Sequence, residues 1–172
     1  VGLSSAGDLA LTQAVQGDTV TLVSGGNISQ TASGIVTAGT LAGRSVGSTM
    51  LDPVNHVDAL GSFSANGFDL ASDRTLTVIG PVDGGDHVNL ITTNGDIIIN
   101  GLVSGTRTTL SSAGAINQGS AGGIAASTLS GSSTGATTLE GGGNRVATLE
   151  AFKAAGFSFT NGHSLIVAGP ID

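Results

Sequence analysis

The sequence contains no cysteine, tryptophan or tyrosine, and its only aromatic residues are five phenylalanines. The absence of cysteine excludes disulfides and thiol chemistry, which fits a secreted chain that uses neither. Charged residues are also scarce, at 10% of the chain against about 25% in typical domains. Only five residues are basic and the net charge is −7, so we expect neither a nucleic-acid partner nor attraction to an anionic membrane.

Long apolar runs are missing as well, and none approaches the roughly 20 residues of a membrane-spanning helix, so we expect no membrane insertion. Yet 39% of the residues are hydrophobic, whereas disordered chains combine low hydrophobicity with high charge. What the sequence has in abundance is glycine, with 29 residues, together with small and β-branched residues. This composition favours strands joined by tight turns over helices.

The chain is an internal repeat, with one copy at 1–87 and a second at 88–172, which together form a single domain. Asn55–Asp83 aligns without a gap on Asn144–Asp172, and 12 of these 29 positions are identical. Chance would give about two or three matches in so glycine-rich and alanine-rich a chain. Each copy therefore has about 88 residues, a length that exceeds the usual periods of repeat proteins, about 20–50 residues.

Shorter runs with apolar residues at every second position recur inside each copy, and these predict strands with one buried face. Examples are Thr75–Gly80 and Asp96–Asn100, and pairs such as Asn94-Gly95 separate them. Four coils of about 22 residues in each copy would give an all-β solenoid of about eight coils, roughly 40 Å long. The predicted core residues are Leu9, Leu11, Leu22, Ile28, Leu60, Phe63, Phe68, Leu76, Val78, Leu90, Ile97, Ile99, Leu110, Ile116, Leu149, Phe152 and Phe157.

One stretch, Asn144–Phe157, leaves two interpretations open. It is rich in alanine and spaces Val146, Leu149 and Phe152 three apart, which on its own suits a short helix. Its counterpart in the first copy contains Gly61 and other poor helix formers. Because two copies of one sequence should share one fold, strands and corners are the favoured interpretation.

Three segments resemble the repeat region of filamentous haemagglutinin-like exoproteins: "GNISQTASGIVTAGTLAG", "NHVDALGSFSANGFDLASDRTLTVIGPVD" and "VNLITTNGDIIING". The resemblance covers nearly the whole chain, and no catalytic motif belongs to it. It implies a right-handed parallel β-helix, export by two-partner secretion from a Gram-negative bacterium, a secreted or cell-surface location, and an adhesive or matrix-forming role. The secretion domain of that family is not visible in this sequence.

Pairs of carboxylates are candidates for catalysis, because parallel β-helices also serve as polysaccharide lyases and hydrolases, and such chemistry needs two acids on one face. The candidates are Asp69 with Asp73 and Asp52 with Asp58, but Asp69 and Asp73 become Ser158 and Gly162 in the second copy. The stretch Asp83–His87 offers too few oxygens for calcium. We therefore expect no catalytic residue, no metal and no cofactor, and interpret these positions as turn-forming or solvated polar residues.

The first and last segments look like interior coils without a cap, and the chain ends about four residues short of two full copies. This indicates either a piece or processed product of a longer protein, or copies that stack end to end. The residues predicted to form the stacking surfaces are Val1, Leu3, Leu165, Val167, Pro170 and Asp172.

The sequence thus predicts a structural or adhesive solenoid of a bacterial surface or extracellular fibre, such as a biofilm matrix fibre. Its partners would be further copies of itself or the rest of a longer adhesin, with a host or glycan receptor as a further partner. The alternatives are a carbohydrate-active or glycan-binding β-helix and a passive stalk.

Overall fold

The computed structural model describes every residue from Val1 to Asp172 and contains strands but no helix. Its strands are β1 Gly2–Ser5, β2 Leu9–Leu11, β3 Val15–Ser24, β4 Ile28–Gln30, β5 Val36–Ser45, β6 Thr49–Ser64, β7 Phe68–Ser72, β8 Leu76–Val78, β9 Val82–Asp83, β10 His87–Thr92, β11 Ile97–Ile99, β12 Leu102–Ser112, β13 Ile116–Gln118, β14 Gly123–Ser133, β15 Ala136–Leu139, β16 Arg145–Lys153, β17 Gly156–Phe159 and β18 Ile166–Val167.

Every strand except those of the two terminal coils pairs in parallel with strands of the coil before and the coil after it, so the chain forms a β-solenoid of about eight turns. One column of successive Cα partners follows the stack from end to end: Leu9, Ile28, Thr49, Phe68, Val88, Thr108, Leu129, Leu149 and Val167. Residues 9 and 88 are 79 positions apart over four steps, as are residues 88 and 167. Each coil therefore has about 20 residues, not the 22 predicted, because the repeat contains more than four coils.

The two copies are rotated relative to each other around the solenoid axis. Four steps down the stack from Leu22 lead to Val103, 81 residues later. The repeat counterpart of Leu22 is Leu110, which lies seven residues further on and stacks on Leu90 instead. An 88-residue copy thus equals four coils plus about a third of a coil, so equivalent residues fall on different sides of the rod.

The core is a single cluster of 30 buried residues that runs along the whole solenoid. Fifteen of the seventeen residues predicted for the core are buried. The prediction is wrong for Leu9 and Phe157, which are only partly buried and pack against the cluster from outside. They belong to the two terminal coils, where no further coil covers them, although their alternating pattern is that of interior strands.

A β-bulge occurs at the same place in both copies, on the strand that carries the phenylalanine. Gly43 pairs with Phe63 and Gly131 with Phe152, each after a shift in register. A Cβ on Gly131 would lie 2.8 Å from the Phe152 ring and 2.2 Å from the carbonyl oxygen of Leu110. The missing side chain therefore makes room for the ring and lets three strands keep their spacing.

A buried asparagine closes one corner in each copy. The Asn55 side chain is fully buried; its Oδ1 accepts hydrogen bonds from Gln30 Nε2 at 2.6 Å and Val36 N at 2.8 Å. Its Nδ2 donates to the carbonyl oxygens of Leu51 and Ala71, at 3.0 and 3.2 Å. This one side chain satisfies backbone groups of three coils that no strand pairing reaches.

Asn144 repeats the arrangement in the second copy. It accepts from Gln118 and from Ile124 N, and donates to the carbonyl oxygens of Leu139 and Thr160. The segment that follows it consists of β16 and β17, so the strand interpretation of Asn144–Phe157 is confirmed and the helical alternative is wrong. The segment Asn144–Phe157 has one glycine where Asn55–Phe68 has two, and it follows the same backbone because both segments bury the same apolar positions.

Candidate functional site

The two ends of the solenoid are the most distinctive surfaces of the molecule, because each exposes a coil of interior type. At the first end, β1 and β2 each pair with only one strand, β3 and β4. At the last end, β17 and β18 likewise pair only with β15 and β16. The outer edges of these four strands carry free backbone N–H and C=O groups, which are templates for a further parallel strand.

Apolar side chains surround these open edges. Leu3, Leu9 and Val15 are partly buried at the first end, as are Phe157, Phe159, Leu165 and Ile171 at the last. Val1 is 56% exposed and Val167 is 59% exposed. Apolar side chains of the interior have a coil on both sides, whereas those of the terminal coils are covered on one side only. Another coil would therefore bury further apolar surface.

The residues predicted for stacking all lie in these terminal coils. Val1, Val167, Pro170 and Asp172 are exposed, while Leu3 and Leu165 are partly buried. Sequence reasoning missed Leu9, Val15, Phe159 and Ile171 as members of the same surfaces. The repeat could have identified them, because their counterparts Ile97, Val103, Leu70 and Val82 are all buried between coils.

Three of the four acidic residues that are candidates for catalysis, all except Asp52, pair with histidine or arginine residues of neighbouring coils. Asp73 contacts His56 at 2.6 Å, and Asp58 binds Arg74 at 3.0 Å. Asp69 Oδ2 lies 3.1 Å from His87 Nε2. These carboxylates thus tie successive coils together, with each partner 16 to 18 residues away along the chain.

His87 stands at the corner where the first copy ends and the second begins. Its Nδ1 lies 3.3 Å from Asp86 Oδ2, which also accepts a hydrogen bond from Arg107 at 2.8 Å. The hydrogen bond with Asp69, assisted by Asp86, raises the pKa of His87 above its usual value, although partial burial opposes this. In the same corner Gly85 has φ +56°, a left-handed conformation that glycine adopts without strain.

The raised pKa predicts that His87 stabilises the fold in acid. A group with a raised folded-state pKa contributes stability that is present below its unfolded value, about 6.5, and is lost as the pH rises through the folded value. We expect the melting temperature to fall over this range, and His87→Gln to reduce the fall. His163→Gln, at an exposed position, is the control, and equal pH profiles for His87→Gln and the unchanged chain would contradict the assignment.

The acidic corner Asp83–His87 uses its oxygens for contacts within the protein. Asp83 Oδ1 accepts a hydrogen bond from the backbone N of Gly85 at 3.1 Å, while Asp86 binds Arg107 and His87. No three His, Cys, Asp or Glu side chains are grouped so that they could hold a metal ion. No helix long and apolar enough to cross a membrane occurs in the structure.

An open groove runs along the second copy, parallel to the axis of the rod. It is lined mainly by small residues from successive coils, among them Gly85, Gly105 and Ala126. Arg145, His163 and Asp83 also line it and contribute polar or charged groups. The groove follows from the small side chains at this corner, and no phenylalanine lines it.

Comparisons of the chain with protein-family models, with curated proteins and with solved structures found no match. The features of the chain that bear on its function are therefore the solenoid itself, its open ends and the polar contacts of its surface. The resemblance to filamentous haemagglutinin-like repeats stays a prediction from the sequence.

Proposed function

We propose that this chain is a structural and adhesive solenoid segment of a bacterial cell-surface or extracellular fibre. Its role is to supply length and stiffness, and it is extended along its axis by further coils of the same kind. These coils come from other copies of the chain or from the rest of a longer adhesin. The proposal assigns no catalytic residue and no cofactor, and it places the protein outside the cell of a Gram-negative bacterium.

The observation that carries this proposal is the pair of open ends. Both terminal coils present unpaired strand edges together with apolar side chains that have interior counterparts. Parallel coils stack about 4.8 Å apart, so each added coil lengthens the rod without changing its cross-section. The sequence resemblance supports the same role, because it implies an adhesive fibre.

Sedimentation and negative-stain electron microscopy over a concentration series test the proposal. We expect particles of constant width whose length grows with concentration, in steps of one chain, about 40 Å. Compact particles that associate side by side would contradict axial extension. If the particles stayed one chain long at every concentration, the passive stalk of a longer adhesin would be favoured over self-assembly.

The axial groove favours a second candidate, a glycan-binding or carbohydrate-active β-helix. The groove is open along several coils and offers Arg145 and His163 as hydrogen-bonding groups, which suits an extended polar chain. Screening against polysaccharides distinguishes the two functions. Binding or turnover that is lost in Arg145→Ala, while axial growth persists, would establish this second function.

A further inference from the structure

We propose that a second copy of this chain stacks on the open end in the register in which the two repeat copies already meet inside one chain. This inference rests on the proposed function and specifies its partner and its geometry. The internal junction between the copies is a complete example of the contact, because the strands at the two ends are counterparts of the strands that form it.

The internal junction consists of three parallel pairings. Strand β10 lies on β7, with Val88 opposite Phe68 and Leu90 opposite Leu70. Strand β11 lies on β8 with Ile97 opposite Leu76, and β12 lies on β9 with Val103 opposite Val82. In each pair one residue comes from the first copy and one from the second.

The repeat alignment transfers these pairings to the ends of two chains. Positions 88 to 92 correspond to positions 1 to 5 and positions 97 to 104 to positions 9 to 16, with one residue fewer between them in the first copy, and positions 68 to 83 correspond to positions 157 to 172. The resulting register places Val1–Ser5 on 157–161, Leu9–Leu11 on 165–167, and Val15-Gln16 on Ile171-Asp172. Every segment in this register is present at an open edge of the terminal coils.

The burial of apolar side chains at the internal junction supports the transfer of its register to the two ends. In the internal junction Leu90, Leu70, Ile97, Leu76, Val103 and Val82 are each at most 1% exposed. Their counterparts Leu3, Phe159, Leu9, Leu165, Val15 and Ile171 are all partly buried apolar residues of the two ends. Each apolar side chain would meet an apolar side chain on the facing coil, as it does inside the chain.

One contact of the internal junction involves a glycine. At the internal junction Gly67 lies beneath His87, whose Cε1 is 2.8 Å from the position of a Cβ. The counterpart of Gly67 is Gly156, which has no atom within 4 Å of that position. His87 comes directly before Val88, the counterpart of Val1, so this one contact of the internal junction has no equivalent between two copies.

Cysteine cross-linking tests the register, and the natural absence of cysteine makes each introduced thiol unique. Ala10 and Ile166 are exposed and are counterparts of Ile98 and Thr77, which are paired at the internal junction. The experiment mixes one chain that carries Ala10→Cys with another that carries Ile166→Cys under mild oxidation. The control mixture replaces the second chain with Ser164→Cys, whose thiol lies two residues, about 7 Å, out of register.

We expect at least about tenfold more mixed disulfide dimer from the matched pair than from the control, because disulfides need Cα atoms within about 7 Å. Equal yields from both mixtures would overturn the register. If particles still grew along the axis in that case, only the register would be wrong and the proposed function would stand. If neither cross-links nor axial growth occurred, self-assembly itself would be contradicted.

Discussion

Replacing Asn55 by alanine is expected to lower the free energy of unfolding by about 3–5 kcal/mol. The side chain is fully buried, and its removal leaves the N–H of Val36 and the carbonyl oxygens of Leu51 and Ala71 without this partner. Each buried backbone group that loses its partner costs about 1–3 kcal/mol. Urea denaturation, followed by circular dichroism, measures the difference.

Two further variants make this prediction specific. Asn144→Ala should cost a similar amount, because Asn144 makes the equivalent hydrogen bonds in the second copy. Asn94→Ala, at an exposed position, should change the free energy of unfolding by no more than about 0.5 kcal/mol. An Asn55→Ala chain as stable as Asn94→Ala would show that the corner does not depend on the asparagine.

Leu9→Asp is expected to abolish axial association while the single chain stays folded. Leu9 is only partly buried in the terminal coil, so a carboxylate there keeps contact with water in the free chain. In the proposed junction the same position faces Leu165 and is enclosed as Ile97 is, and a charge without a partner there costs several kcal/mol. Since about 1.4 kcal/mol is a factor of ten, we expect the association constant to fall at least roughly 100-fold.

Ala10→Asp is the matched control for this variant. Ala10 is the next residue of the same strand and is exposed, so its side chain points away from the core and would remain in water after stacking. Sedimentation should therefore show axial growth for Ala10→Asp and single chains for Leu9→Asp, with equal circular dichroism. If Leu9→Asp chains associated along the axis at the same concentration as the unchanged chain, Leu9 would not lie in the interface.

Much of the fold could be predicted because burial follows local sequence so closely. Alternating apolar residues predicted strands such as β8 and β11, and corners follow pairs such as Asn94-Gly95. The repeat also resolved the ambiguous stretch, since Gly61 in the first copy argued against a helix for both. A parallel solenoid buries the inward side chains of every strand, so the period of two remains visible throughout.

The coil length and the ends could not be predicted in the same way. A strict repeat of about 88 residues suggests that each copy contains a whole number of coils. The number of residues in a coil is instead set by the lengths of its sides, so one copy contains four coils and a fraction of a fifth. Leu9 and Phe157 have the pattern of core residues, and only their place in the stack makes them partly exposed. The roles of Asn55 and Asn144 were missed because alternation assigns polar residues to the outside, whereas a corner needs buried hydrogen-bonding groups.

The axial repeat of the assembled particles tests the central claim most directly. Two copies advance the solenoid by roughly 8.7 coils, so stacking in the internal register predicts one chain about every 42 Å and a continuous spacing of about 4.8 Å along the axis. Cryo-electron microscopy or fibre diffraction measures both spacings. Filaments with this repeat are the predicted result, whereas single chains at every concentration, or filaments whose strands do not stack along the axis, would contradict the account.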